Sequence, residues 1–150
     1  MLENEAVFIP LIIVIFLVFF TALWSFIAFI TSRIGGWNAI AQHYQGELSY
    51  KNESLGFRSA RFGWMGYSGV LTFSVNDEEL GISVLFLYRV GHPPLKIPFE
   101  EINAYEKTVI LPEVHMSFAQ TPERVIKIPR RVADAIEAAS GGNWTYTRKE

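Results

Sequence analysis

The chain has 150 residues, with 13 basic and 15 acidic side chains, a formal net charge of −2 and no cysteine. The lack of cysteine excludes disulfides, thiolate catalysis and cysteine-bound zinc or iron–sulfur centres. A nearly neutral chain also lacks the concentrated basic face of a nucleic-acid-binding protein, so we expect no nucleic-acid partner.

The chain starts with a long apolar stretch. Residues 6–30 carry no charged side chain, and a run longer than about 18 such residues is typical of a transmembrane helix. At about 1.5 Å per residue the run reaches roughly 38 Å, more than a hydrocarbon core of about 30 Å requires. We predict a transmembrane anchor over residues 1–33. The acidic leader, the length of the run and the lack of an Ala-x-Ala site disfavour a cleaved signal peptide.

Basic residues follow the apolar stretch but do not precede it. Arg33 comes directly after it, and Lys51, Arg58 and Arg61 lie further along. Because Lys and Arg favour the cytoplasmic side, we expect the N-terminus outside and the C-terminal domain in the cytoplasm.

Small side chains recur along one face of the predicted anchor. The spacings of four, three and four predict a common face for Thr21, Ser25, Ala28 and Ser32. Small residues in line let a second helix approach closely. We therefore expect either a packing face for a transmembrane partner or a second copy of the chain, or a chance alignment that faces lipid.

A short amphipathic helix is predicted next, as a linker over residues 34–47. Its apolar stripe has the i, i+3, i+4, i+7 spacing at Trp37, Ile40, Ala41 and Tyr44. The helix could lie on the membrane surface or pack on the domain. Because its polar face is not basic, packing is favoured.

From residue 55 onward the pattern changes to strands and turns. Strands are expected near residues 55–63, 68–75, 80–88, 95–99, 101–111 (centred on 108–111), 113–118 and 124–128. Pro129 can begin a closing helix, since the first residue of a helix does not need the N–H that proline lacks. Many short strands favour a sandwich or barrel. The fold class is thus α+β: a transmembrane helix, then a mostly antiparallel β-sandwich or partly open barrel of about seven strands over residues 48–142, capped by a C-terminal helix. Residues 143–150 are expected to be a flexible tail.

The first predicted hairpin has an aromatic tip flanked by two arginines. If the tip is exposed, it could touch the bilayer while the cations meet anionic headgroups, through Arg58, Arg61, Trp64 and Tyr67. The alternative is that the aromatic side chains close the domain core.

Two segments carry a family resemblance: residues 89–102, with the motif Ile97-Pro98-Phe99, and residues 125–136, a strand running into a helix. This layout resembles the pleckstrin-homology-like superfamily, in particular the small bacterial domains on single-pass membrane anchors. The resemblance implies a binding or scaffolding role at a bacterial inner (plasma) membrane. Lipid-binding members carry a basic triplet across the first hairpin, whereas Lys51, Arg58 and Arg61 are spaced differently.

No catalytic pattern stands out. No two of His43, His92 and His115 have a metal-ligand spacing, and no cofactor is expected. We expect a non-catalytic membrane-anchored adaptor that binds a protein partner or the bilayer. The alternative is an accessory structural subunit of a larger membrane complex, docked through the transmembrane helix. A membrane-bound enzyme would require a pocket that gathers several of Glu100, Glu106, His92 and His115.

Overall fold

The computed structural model describes residues 2–48 and 53–149. Lys51, one of the basic residues that predict the orientation, lies outside the described residues, as do the other residues at 49–52, residue 1 and residue 150. The apolar stretch forms helix α1, Leu2–Gly35. In the described part of the chain, one helix, spanning Asn4–Gly35, is long and apolar enough by length and composition to cross a membrane.

Helix α2, Trp37–Tyr44, follows α1 after Gly36, whose φ of 85° lets the chain turn between the two helices. The buried side chains of α2 are those of the predicted stripe: Trp37, Ile40, Ala41 and Tyr44. They face the sheet, and α2 packs against its fourth and seventh strands.

Seven strands form one antiparallel sheet in the described residues. They are β1 Glu53–Phe62, β2 Met65–Val75, β3 Glu79–Val84, β4 Leu95–Pro98, β5 Ile102–Thr108, β6 Pro112–Phe118 and β7 Thr121–Pro129. Their order is β4-β3-β2-β1-β7-β6-β5. Successive strands pair within β1–β4 and within β5–β7, and β1 joins β7 through the pairs Arg61–Lys127 and Phe62–Ile126. The sheet and its helices give the α+β class expected from the sequence.

Helix α3, Arg130–Ala139, begins directly after Pro129. It buries Val132, Ala133 and Ile136 against the sheet. The core lies between the inner face of the sheet and helices α2 and α3. Its fully buried large side chains are Trp37, Phe62, Phe73, Phe118, Ile40, Leu71, Leu80, Ile82, Leu95, Ile97, Met116 and Ile126.

Two predicted strands have different limits. The strand expected over residues 80–88 ends at Val84, and a 3-10 turn, Phe86–Tyr88, follows it. The strand expected around residues 108–111 lies earlier, as β5, and residues 109–111 form an exposed turn. The cause is the same in both places: an apolar run predicts a core strand, but apart from Tyr88 these apolar side chains lie outside the core.

The segment after α3 is packed, which corrects the expectation of a flexible tail for its described part, residues 143–149. Trp144 and Tyr146 are buried, and Trp144 stacks on Phe99 with ring centroids 6.2 Å apart. Thr147 forms a parallel bridge with Tyr105 on the edge strand β5. Burial of two aromatic rings and added backbone pairing hold this segment in place.

Candidate functional site

The domain packs on the C-terminal end of α1. Ala28 and Ser32 are buried, at 2% and 1% exposure. Ser32 Oγ donates a hydrogen bond to the carbonyl oxygen of Gly91. A Cβ at Gly91, whose φ is 75°, would lie 3.1 Å from Phe29 Cα. Small residues on both sides therefore allow helix and loop to touch.

This contact covers part of the face predicted to receive another helix. Ala28 and Ser32 are covered by residues of the same chain, Ser25 is half-buried, and Thr21 is exposed. Ala28 and Ser32 thus allow a close approach, but for Ser32 the partner in the structure is a loop of this chain. The packing of a second helix on this face stays a prediction.

About two helical turns before Ser32, a second contact joins α1 to the domain. Trp24 Nε1 donates to the carbonyl oxygen of Leu87 at 2.7 Å, and the Trp24 and Tyr88 rings lie 5.2 Å apart. The sequence prediction missed this contact because it assigned residues 80–88 to a continuous strand. The sequence signal for this contact is the run of four large apolar residues at 85–88, which continues past the end of the strand that pairs with β2.

Four rings form what we call the junction cluster, which lies in the domain core next to the end of α1. They are those of Trp37, Phe62, Tyr67 and His92. Trp37 stacks on Phe62 at 4.8 Å and donates from Nε1 to Pro93 O at 2.8 Å. Tyr67 Oη lies 2.8 Å from His92 Nε2. Through His92 and Pro93, the junction cluster attaches the loop that contains Gly91 to the domain core.

The hydrogen bonds assign the tautomer of His92. Its Nδ1 lies 3.1 Å from Val90 O, an acceptor, so Nδ1 carries the hydrogen and Nε2 accepts from the Tyr67 hydroxyl. Burial lowers the pKa of His92 and raises the pKa of Tyr67. Both side chains are therefore neutral near pH 7, as their aromatic surroundings require.

The four residues predicted to touch the membrane surface do not form one surface. Trp64 is 73% exposed at the tip of the β1–β2 hairpin, and its neighbour Met65 packs on Gly35 at the end of α1. Tyr67 is buried in the junction cluster, which is a correction: its ring faces the core because Phe62 and Trp37 pack on it. Arg58 is half-buried, and Arg61 points to the outer face of the sheet.

A groove of about 500 Å³ crosses that outer face. We call it the outer groove, and it is lined by Arg61, Lys107, Val109, Ile110, Leu111, Glu113, His115 and Lys127. Arg61, Lys127 and His115 face each other across β1, β7 and β6. Arg61 forms an ion pair of 2.9 Å with Glu113.

One wall of the outer groove is apolar. It consists of the turn between β5 and β6, in which Ile110 is 90% exposed and Val109 and Leu111 are also open. The groove therefore offers three cationic side chains, one carboxylate and an apolar wall. Such a combination suits a ligand that is both acidic and apolar.

His115 forms part of the floor of the outer groove. It is buried, its Nε2 lies 3.5 Å from Glu113 Oε2, and its ring centroid is 5.5 Å from that of Tyr105. Burial, and then the nearby Lys127 charge, lower the pKa of His115. His115 is thus neutral near pH 7, so the groove's positive charge comes from its Arg and Lys side chains.

The residues that an enzymatic pocket would require lie at separate places. His92 is in the junction cluster, His115 in the outer groove, and Glu106 pairs with Arg130 at 3.3 Å. Glu100 lines an acidic surface depression with the turn between β2 and β3. Within the described residues, no group of three or more His, Asp or Glu side chains is placed to hold a metal ion.

Comparison of the chain with protein-family models, curated proteins and solved structures finds no match. The geometry itself offers two surfaces. One is the uncovered apolar surface of α1, and the other is the outer groove on the domain.

Proposed function

We propose that this protein is a single-pass, membrane-anchored, non-catalytic adaptor whose domain is held against the bilayer and binds a protein partner through the outer groove. The anchoring rests on one observation. The most apolar 18-residue window of α1 is 0% buried, while the domain core is complete without that window. Apolar surface of this extent requires lipid or another apolar cover.

The proposed orientation places the N-terminus outside and the domain in the cytoplasm of a bacterial inner membrane. It is supported by Arg33, which follows the apolar stretch directly, whereas residues 1–5 carry no Lys or Arg. Arg33 lies over the Phe29 ring at 4.8 Å, a position from which its long side chain can reach the headgroups.

We also propose that the domain is of the pleckstrin-homology-like type. The strand order β4-β3-β2-β1-β7-β6-β5 and the single helix after β7 support this assignment. A domain of that type acts as a binding module, which agrees with an outer groove on its sheet.

The partner we propose is a protein segment with acidic and apolar side chains. Lys107 and Lys127 would pair with its carboxylates, and the wall around Ile110 would take its apolar side chains. Charge complementarity of this kind sets specificity and association rate more than affinity.

The alternative function is an accessory subunit of a membrane complex, docked through α1. It depended on four small residues, of which Ala28 and Ser32 are already buried in this chain. Thr21 and the exposed half of Ser25 remain for a neighbouring helix. The remaining contact surface is therefore smaller than the sequence predicted.

Site-specific photo-crosslinking in native membranes tests the adaptor against the accessory subunit. A photoreactive residue at Ile110 probes the outer groove, one at Thr21 probes the helix face, and one at Ala138, exposed on α3, is the matched control. The adaptor predicts one discrete product from Ile110 and none from Ala138. A product from Thr21 alone would support the accessory subunit and contradict the proposed role of the groove.

A further inference from the structure

An apolar loop of the domain lies beside α1. Residues 85–91 connect β3 to the junction cluster, and four of their apolar side chains are exposed: Leu85, Phe86, Leu87 and Val90. Phe86 is 67% exposed. Contiguous exposed apolar side chains of this size are rare on a surface that faces water and mark a contact with another apolar phase.

The position of the loop along α1 indicates which phase that is. Glu5 and Arg33 bound a charge-free stretch that includes Trp24. A helix needs about 20 residues to cross a hydrocarbon core of about 30 Å, and a tilted helix needs more residues. Every window of about 20 residues within that stretch contains Trp24. Since Trp24 bonds directly to Leu87, the loop reaches the depth of the hydrocarbon in each of these placements.

Most carbonyl oxygens of the loop are hydrogen-bonded within the protein, and hydrocarbon favours such pairing for non-helical backbone. The carbonyl oxygens of Leu85, Phe86 and Arg89 accept from the amides of Tyr88, Arg89 and His92. Three more accept from side chains: Leu87 O from Trp24, Val90 O from His92 Nδ1, and Gly91 O from Ser32. These bonds lower the cost of placing the carbonyl groups of the loop in hydrocarbon.

The loop contains a single charged residue, Arg89, and its side chain is exposed. A long arginine side chain beside an apolar patch can extend its guanidinium to the phosphate layer while its stem stays in the apolar region. Acidic residues are missing from residues 85–91. The composition therefore fits a segment at the boundary between hydrocarbon and headgroups.

We propose that residues 85–91 are inserted into the bilayer leaflet nearest the domain, packed against α1, with the hydrocarbon covering Phe86, Leu87 and Val90. This inference rests on the proposed membrane anchoring. It adds a second membrane attachment, which fixes the height and tilt of the domain so that the outer groove keeps a constant position relative to the membrane.

Nitroxide accessibility on the full chain in lipid vesicles tests this insertion. The chain has no cysteine, so each single-cysteine variant carries one label. Phe86→Cys reports the loop, Val18→Cys reports the predicted span, and Ile110→Cys is an exposed apolar control on the domain. Insertion predicts that the labels at Phe86 and Val18 collide with oxygen and are shielded from a water-soluble nickel chelate. The label at Ile110 should collide with the chelate.

The outcomes separate the loop from the anchor. A Phe86 label open to the nickel chelate, with the Val18 label shielded, would overturn the insertion and leave the anchoring intact. A Val18 label open to the chelate would overturn both. A Phe86 label shielded from both reagents would show that protein, from a second copy or a partner, covers the loop, and this would also overturn insertion into lipid. Val90→Cys repeats the measurement if Phe86→Cys does not fold.

Discussion

Trp24 Nε1 donates a hydrogen bond of 2.7 Å to Leu87 O, across 63 residues of chain. The bond joins the C-terminal third of α1 to the loop that follows β3. Together with the Ser32–Gly91 contact, it holds the domain to the helix at two levels. The relation between anchor and domain is therefore a packed interface rather than a free tether.

Replacing Trp24 with phenylalanine should weaken this interface. Phe keeps an aromatic ring near Tyr88 but removes the hydrogen bond to Leu87 O, and an intramolecular hydrogen bond of this kind contributes about 0.5–1.5 kcal/mol. We expect a lower midpoint of thermal unfolding for Trp24→Phe in lipid nanodiscs, followed by circular dichroism. Trp64→Phe, at the exposed hairpin tip, is the control and should change the free energy of unfolding by less than about 0.5 kcal/mol. Equal midpoints for the two variants would contradict the interface.

Alanine variants of two glycines with similar φ angles can distinguish the cost of backbone strain from the cost of a steric clash. Gly91 and Gly69 have φ of 75° and 67°, but a Cβ at Gly69 meets open space and one at Gly91 meets Phe29 Cα at 3.1 Å. Gly69→Ala should cost only left-handed strain, roughly 1–2 kcal/mol. Gly91→Ala adds a clash with helix backbone and should cost more. Denaturant unfolding of both variants measures the difference, and equal costs would show that α1 does not pack on this loop.

Acidification should destabilise the domain through His92. The unfolded chain binds a proton near the ordinary histidine pKa of about 6.5, whereas burial lowers the pKa of folded His92. The unfolded state therefore binds more protons just below about pH 6.5, and the free energy of unfolding falls as pH falls through that window. His115 has a lowered pKa too and acts in the same direction.

Urea unfolding at about pH 7.5 and about pH 5 measures this dependence. His92→Gln should reduce the drop in the free energy of unfolding between the two pH values. His43→Gln, at an exposed position on α2, is the control and should leave the drop unchanged. An undiminished drop in His92→Gln would show that this buried histidine does not carry the effect.

A charge reversal in the outer groove should affect binding and not folding. Lys127→Glu places a carboxylate between Arg61 and His115 and should repel an acidic partner segment. We expect loss of the crosslinked product from Ile110 with a change in the free energy of unfolding within about 0.5 kcal/mol. Arg131→Glu makes the same charge change on α3 and should keep the product. Equal yields from both variants would contradict binding in the groove.

The architecture could be predicted from the sequence where one local pattern determines burial. The charge-free run gave α1, the apolar stripe gave the buried face of α2, and alternation gave β6. The strand number and the helix after Pro129 followed from turn signals and from proline chemistry.

The sequence predictions are wrong where the burial of a residue depends on contacts with residues far away in the chain. Residues 85–88 are apolar because they lie beside α1, and residues 109–111 are apolar on an exposed turn, so periodicity alone assigned both to strands. Trp144 packs on Phe99 only because α3 returns the chain to that side of the sheet. The outer groove joins β1, β5, β6 and β7, and a sequence without known pairing could not place Arg61 beside Lys127.

We propose that α1 spans a bilayer and holds the domain on one side of it, and side-specific labelling tests this directly. Because the chain has no cysteine, Asn4→Cys and Ala138→Cys, at an exposed position on α3, can be labelled singly with a membrane-impermeant maleimide on intact, sealed cells. We expect Asn4→Cys to be labelled from outside and Ala138→Cys to be labelled only after the membrane is opened, with both variants retained in the membrane after an alkaline carbonate wash. Labelling of both positions from the same side, or release of the chain by the wash, would contradict it.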